Sequence, residues 1–232
     1  MTRPALILLP GMMCDARLFA PQVAALAVSH DVVVLPITEA ETVERLAQIV
    51  LAAAPGHFAL AGLSMGGIVA MEILHQAPER VTHLALMDTN PLAEAPGIAA
   101  RRVPQMAAAM AGDLAAVMRD EMKPNYLADT PDRARILDIC MDMALDLGPE
   151  VFVRQSRALQ SRPDQSDRLR AARLPSLILC GREDRLCPLS RHELMAQLIA
   201  GAHLEIVEDA GHLPTLENPQ ATNEALARWL AS

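Results

Sequence analysis

The sequence predicts an α/β domain: a mostly parallel six-stranded sheet with helices on both faces and an inserted helical block. Three observations carry this reading. Short, near-continuous apolar runs recur at 5–9, 31–35, 57–63 and 81–87, and further strand patterns follow at 175–180 and 203–207. Runs of this kind, rather than alternating ones, mark parallel strands covered on both faces. Helix-period segments separate them, which is the βαβ order of an α/β fold. The alternation stops between 91 and 172, where every signal is helical, and then resumes.

The elements follow in order. The strand at 5–9 is ended by Pro10-Gly11, and Asp15 is a suitable N-cap for a helix over 16–28. The strand at 31–35 precedes a helix over 41–54, stopped by Pro55-Gly56. The strand at 57–63 leads directly into a helix over 65–76, and the strand at 81–87 completes the first half. The inserted block has helical spacing at 98–111, 113–123, 132–147 and 150–160, with Pro104, Pro124, Pro131, Pro149 and Pro163 as expected breaks. After the strand at 175–180 come a helix over 190–199, the strand at 203–207 and a helix over 219–230. The expected organisation is therefore a core of 1–90 and 173–232 with an insertion of 91–172.

Composition narrows the function. A chain of 232 residues can bury a core without disulfide or metal staples. Its net charge of −8 repels phosphate backbones and anionic lipid surfaces. Only 2% of residues are aromatic, so there is little on which to stack bases. No nucleic-acid partner is expected. The first apolar run is too short for a signal peptide and no stretch is long enough to span a bilayer, so a cytoplasmic protein without a membrane partner is expected. Cys14, Cys140, Cys180 and Cys187 lack C-x-x-C spacing and read as reduced thiols. No metal-ligand cluster, phosphate loop or dinucleotide fingerprint is present, and no cofactor is implied.

The most informative stretch is Gly62-Leu63-Ser64-Met65-Gly66, a G-x-S-x-G pattern that ends a strand and opens a helix. In so tight a turn the flanking glycines remove Cβ atoms that would clash, and the serine Oγ stands clear of the sheet. The following helix aims its N-terminal amides and positive dipole end at that point. Serine needs a base to take its proton, and the base needs an orienting acid. Asp184 falls in the loop after the strand at 175–180, and His212 in the loop after the strand at 203–207. All three thus lie at strand C-termini, where open α/β sheets build their sites. Glu183 is the main rival for the acid, with Asp209 and Asp88 behind it. The other six histidines (30, 57, 75, 83, 192 and 203) have no such context and read as structural.

Along essentially its whole length the chain resembles the α/β-hydrolase superfamily. The resemblance rests on the strand order, the elbow at Ser64, the Gly181…Asp184…Pro188 loop, and the Gly211-His212 loop followed by Glu217-Asn218-Pro219. It implies Ser64 as nucleophile, His212 as general base and Asp184 as acid. It also implies an oxyanion hole built from the backbone N–H groups of Met65 and Met12. The latter lies in a loop that reads Pro10-Gly11-Met12 where the superfamily commonly has His-Gly-X. It further implies that 91–172 forms a cap over the nucleophile. Cap methionines 106, 110, 118, 122, 141 and 143 read mainly as packing, with an adaptable pocket as the alternative. Arg101-Arg102 reads as a solvated helix face, with contact to a substrate carboxylate as the alternative. Cys14 is close enough in sequence to line the pocket.

The expected activity is hydrolysis of a carboxylic ester of a small or aliphatic substrate through an acyl-enzyme. The aromatic-poor cap favours that over the alternative, a C–C bond or enol-lactone hydrolase of aromatic degradation, which needs a carboxylate-binding arginine near Ser64. A ligand-binding protein without catalysis is the reading from another class.

Overall fold

A computed structural model describes residues 3–124 and 126–232. Six strands form one sheet: β1 (Ala5–Leu9), β2 (Asp31–Val34), β3 (Phe58–Leu63), β4 (Val81–Met87), β5 (Ser176–Gly181) and β6 (His203–Val207). Their order is β2-β1-β3-β4-β5-β6, and every neighbouring pair is parallel. Each predicted strand is present to within a residue or so at either end.

The sheet is covered on both sides because its strands are apolar on both sides. Ile7, Leu9, Leu60, Leu84, Leu86 and Ile178 face one core layer, while their alternating neighbours Leu6, Leu8, Ala61, Ala85 and Leu179 face the other. Helix α1 (Ala20–Leu26) is entered through a 3₁₀ turn at Ala16–Phe19, whose Arg17 amide is capped by Asp15 at 2.9 Å. Then come α2 (Val43–Ala53) and α3 (Met65–Gln76). Helix α3 buries ten of its twelve residues. It is the element that must be apolar nearly all round, because it lies between the sheet and further helices.

Between β4 and β5 the described residues hold only helices: α4 (Pro96–Ala108), α5 (Leu114–Ala116), α6 (Arg133–Gln160) and α7 (Ser166–Ala171). Two expectations change here. Pro104 does not break α4. The carbonyl that loses its helical donor there is that of Ala100, while the preceding Ala99 carbonyl accepts from Gln160 Nε2 at 2.7 Å and so ties α4 to the end of α6. The two helices expected over 132–160 are one, α6, kinked where Gly148 takes φ 79° just before Pro149. Wider π-type turns occupy Ala109–Asp113 and Val117–Met122 on either side of the short α5. Helix α7, not foreseen, packs on α3 and on α8 (Leu189–Leu198). The chain ends in α9 (Pro214–Glu217) and α10 (Pro219–Leu230). Among the described residues no helix is long and apolar enough to cross a membrane.

Candidate active site

Ser64 sits in the sharp turn between β3 and α3, with φ 54° and ψ −116°. That backbone is strained for any residue but glycine and is held by its surroundings. The Ser64 amide donates to the Met87 carbonyl at 2.8 Å, and Thr89 Oγ1 donates to the Ser64 carbonyl at 2.6 Å. Gly62 and Gly66 make the turn possible. A Cβ on Gly62 would lie 2.3 Å from the Gly66 carbonyl oxygen, and one on Gly66 would lie 2.0 Å from that of Leu9. The second contact also seats the loop after β1 directly against the elbow.

The three residues singled out from sequence come together. His212 Nε2 lies 2.9 Å from Ser64 Oγ, and His212 Nδ1 lies 2.8 Å from Asp184 Oδ2. His212 and Asp184 are buried while Ser64 is half-buried. The other Asp184 oxygen accepts from the amides of Leu186 (2.8 Å) and Cys187 (3.0 Å). Burial alone raises the Asp184 carboxyl, but His212 and these two amides outweigh it and hold it below the usual range. Glu183 and Asp209 are exposed, and neither has a hydrogen bond to His212.

Asp88, at the end of β4, is fully buried beside Asp184, and its Oδ1 accepts from the Gly181 amide at 2.9 Å. Burial first, and then the neighbouring Asp184 carboxylate, push Asp88 well above the usual carboxylate range. In the unfolded chain the same group ionises near pH ~4. The folded state then keeps a proton that the unfolded state has lost, so stability falls as pH rises through that interval. Asp88→Asn keeps an acceptor for Gly181 and removes the titration. Its melting temperature should gain on the wild type's from about pH 5 to 8, and a constant difference across the series would contradict a protonated Asp88.

The loop holding Met12 is braced from the insertion. The Met13 amide donates to Gln155 Oε1 at 2.8 Å, and Gln155 Nε2 donates to the Ile37 carbonyl at 3.0 Å. The Cys14 amide is taken by the Gly11 carbonyl at 3.2 Å. Met65 is the first residue of α3, so its amide has no partner within the helix. Met12, Met65, Ser64 and His212 all line one cavity of about 250 Å³.

Several supporting residues escaped the sequence reading. Glu217 accepts from the amides of Gly211 (3.0 Å), Leu213 (2.9 Å) and Ala128 (2.7 Å), tying the His212 loop to the insertion. The His212 amide itself donates to the Tyr126 carbonyl at 2.6 Å. His192 is fully buried and accepts from the Thr89 amide at 3.2 Å. Burial pushes its pKa down to about 4, so the ring is neutral and able to accept. The Glu217-Asn218-Pro219 run was the only one of these features with a sequence signal.

The cavity's far wall comes from the insertion. Ile98, Met122 and Leu159 make it apolar, and Arg101, Arg102 and Arg162 make it cationic. Arg102 is buried, not solvated, because Glu94 and Met12 lie against it. Met118 and Met143 are fully buried packing, whereas Met110 is exposed. Cys187, not Cys14, lines the cavity; burial pushes the Cys14 thiol up to about 12. All four cysteines are free.

Comparison with known proteins agrees with this architecture. A curated relative, the pimeloyl-[acyl-carrier protein] methyl ester esterase of Aromatoleum aromaticum, is 28% identical over 198 residues, covering 77% of this chain and 76% of the relative. A thermophilic esterase from Thermogutta terrifontis superposes with a TM-score of 0.86 at 26% identity, covering 99% of this chain and 91% of that one. The enol-lactonase of Burkholderia xenovorans superposes with a TM-score of 0.89 at 22% identity over 100% of this chain and 93% of its own, which shows a shared fold alone. The sequence profile of the alpha/beta hydrolase family matches residues 6–225. The chain belongs to the alpha/beta hydrolase family and is a hydrolytic enzyme.

Proposed function

We propose that the protein hydrolyses a carboxylic ester of a small or aliphatic substrate through an acyl-enzyme on Ser64. The observation that carries this reading is the hydrogen-bonded chain Ser64–His212–Asp184 opening into the cavity. Ser64 Oγ attacks the ester carbonyl as its proton passes to His212 Nε2. The amides of Met65 and Met12 hold the oxyanion. His212 returns the proton to the leaving alcohol, then takes one from water as that water attacks the acyl-enzyme. Asp184 keeps the His212 proton on Nδ1 and stabilises the charged imidazole. The insertion over 91–172 acts as the cap that shapes the acyl pocket.

Two similarities support the reading. The Aromatoleum relative is named as a methyl ester esterase. The Thermogutta neighbour is an esterase, solved with malate bound. The cavity's modest volume and its Met, Ile and Leu wall suit a short chain. Across p-nitrophenyl acetate, butyrate, octanoate and palmitate, kcat/KM is expected to peak at the short esters. A maximum at palmitate would contradict a small-substrate pocket. The second reading, C–C bond or enol-lactone hydrolysis, is favoured by the arginines on the cavity wall. Ring-fission products turned over faster than every simple ester would establish it instead.

A further inference from the structure

The cavity wall opposite Ser64 carries an imbalance of buried charge. Glu94 has a side chain only 1% exposed, and two guanidiniums share it. Arg102 reaches it through Nε at 2.6 Å and Nη2 at 2.9 Å, and Arg162 through Nη1 at 2.9 Å. Both arginine side chains are themselves about nine-tenths buried. Arg162 also donates from Nε to the Leu92 carbonyl at 3.1 Å. Burial, with Arg102 beside it, holds Arg162 below the ordinary arginine range despite Glu94.

The remaining arm of Arg102 is the telling one. Its Nη1 has no oxygen acceptor among the described residues and meets only the thioether of Met12, at 3.6 Å. A thioether is a weak acceptor, so a nearly buried charged donor is left under-satisfied next to the Met12 loop. Arg101, one residue earlier on α4, lines the same cavity and has no carboxylate partner among the described residues. The other acid on the wall, Glu121, is exposed and held by Gln105 Nε2 at 2.9 Å. Two buried guanidiniums therefore share one buried carboxylate, with the exposed Arg101 beside them, and buried charges are ordinarily paired.

We propose that Arg102, with Arg101 at the mouth and Arg162 behind, forms a subsite for a carboxylate carried by the ester substrate. This rests on the esterase reading above and narrows it to half-esters of short dicarboxylic acids. A guanidinium fork matches a carboxylate in shape and charge. The under-satisfied Nη1 lies against the Met12 side chain, and Arg102, Met12 and Ser64 line the same cavity, so a short acyl spacer would link a carboxylate at Arg102 to the ester carbonyl at Ser64. The neutral, oily end of the cavity then holds the spacer rather than a long tail.

Two measurements test this. The first compares kcat/KM for monomethyl succinate and monomethyl adipate with their dimethyl esters. A charge-assisted contact predicts a preference of about 10- to 100-fold for at least one monoester, falling toward unity in Arg102→Gln and in the exposed Arg101→Gln. Equal or better turnover of the diesters by the wild type would overturn the subsite while leaving the esterase reading intact. The second needs no turnover. Succinate should raise the melting temperature of the wild type saturably, and neutral succinamide should not. Arg101→Gln, which removes no buried contact, should weaken the succinate effect even if Arg102→Gln fails to fold. No difference between succinate and succinamide would also overturn the proposal. Succinate binding in a protein that cleaves no ester would instead sink the esterase reading alone.

Discussion

Ser64→Ala is expected to lower kcat/KM for p-nitrophenyl butyrate by about 10⁴- to 10⁶-fold, or ~5–8 kcal/mol of transition-state stabilisation. The substitution removes one oxygen from a half-buried position. The Met87 and Thr89 hydrogen bonds that hold the turn use the Ser64 backbone and survive it. Helix content and melting temperature should therefore stay near wild type, separating loss of chemistry from loss of fold. What activity remains comes from the oxyanion amides and binding alone. A folded Ser64→Ala protein that keeps wild-type turnover would end the acyl-enzyme account.

The second large effect is expected at Asp184. Asparagine is nearly isosteric, but its amide presents a donor to His212 Nδ1, which already carries the proton in the active form. The ring must then move its proton to Nε2, where it can no longer accept from Ser64 Oγ. A fall of about 10³- to 10⁴-fold in kcat is expected. The two amides on the other oxygen, Leu186 and Cys187, still find an acceptor if the asparagine carbonyl turns toward them. Asp88→Asn serves as the comparison. Asp88 accepts from the Gly181 amide rather than touching His212, so its replacement should cost far less activity. Were the two losses reversed, the acid would be Asp88, and the sequence reading of Asp184 would be wrong.

How much of this was legible depended on how far apart the partners lie. Strands β1 and β3 to β5 are buried on both faces, so their sequences are almost purely apolar and stand out. The Ser64 elbow is a local constraint: Gly62 and Gly66 are forced by atoms within the turn and by the adjacent Leu9 carbonyl, and such constraints leave a local signature. Asp184 and His212 were found because each follows a recognisable strand. The rest is long-range side-chain choice. Gln155 reaches the Met13 amide across 142 residues, and Thr89 meets His192 across 103. Nothing in the neighbourhood of Gln155 or His192 marks either partner. Arg102 was read as a solvated face because one helix viewed alone cannot reveal that Glu94 and Met12 enclose it. Pro104 was expected as a break in the segment, yet α4 runs through it to Ala108.

Reacting the protein with a fluorophosphonate and locating the adduct by intact and peptide mass spectrometry shows whether Ser64, activated by His212, is the one nucleophile of the site. One adduct per chain is expected, on Ser64, abolished in Ser64→Ala and strongly slowed when His212 is replaced by alanine. An adduct on another residue, or none on a folded wild-type protein, would contradict that role for Ser64.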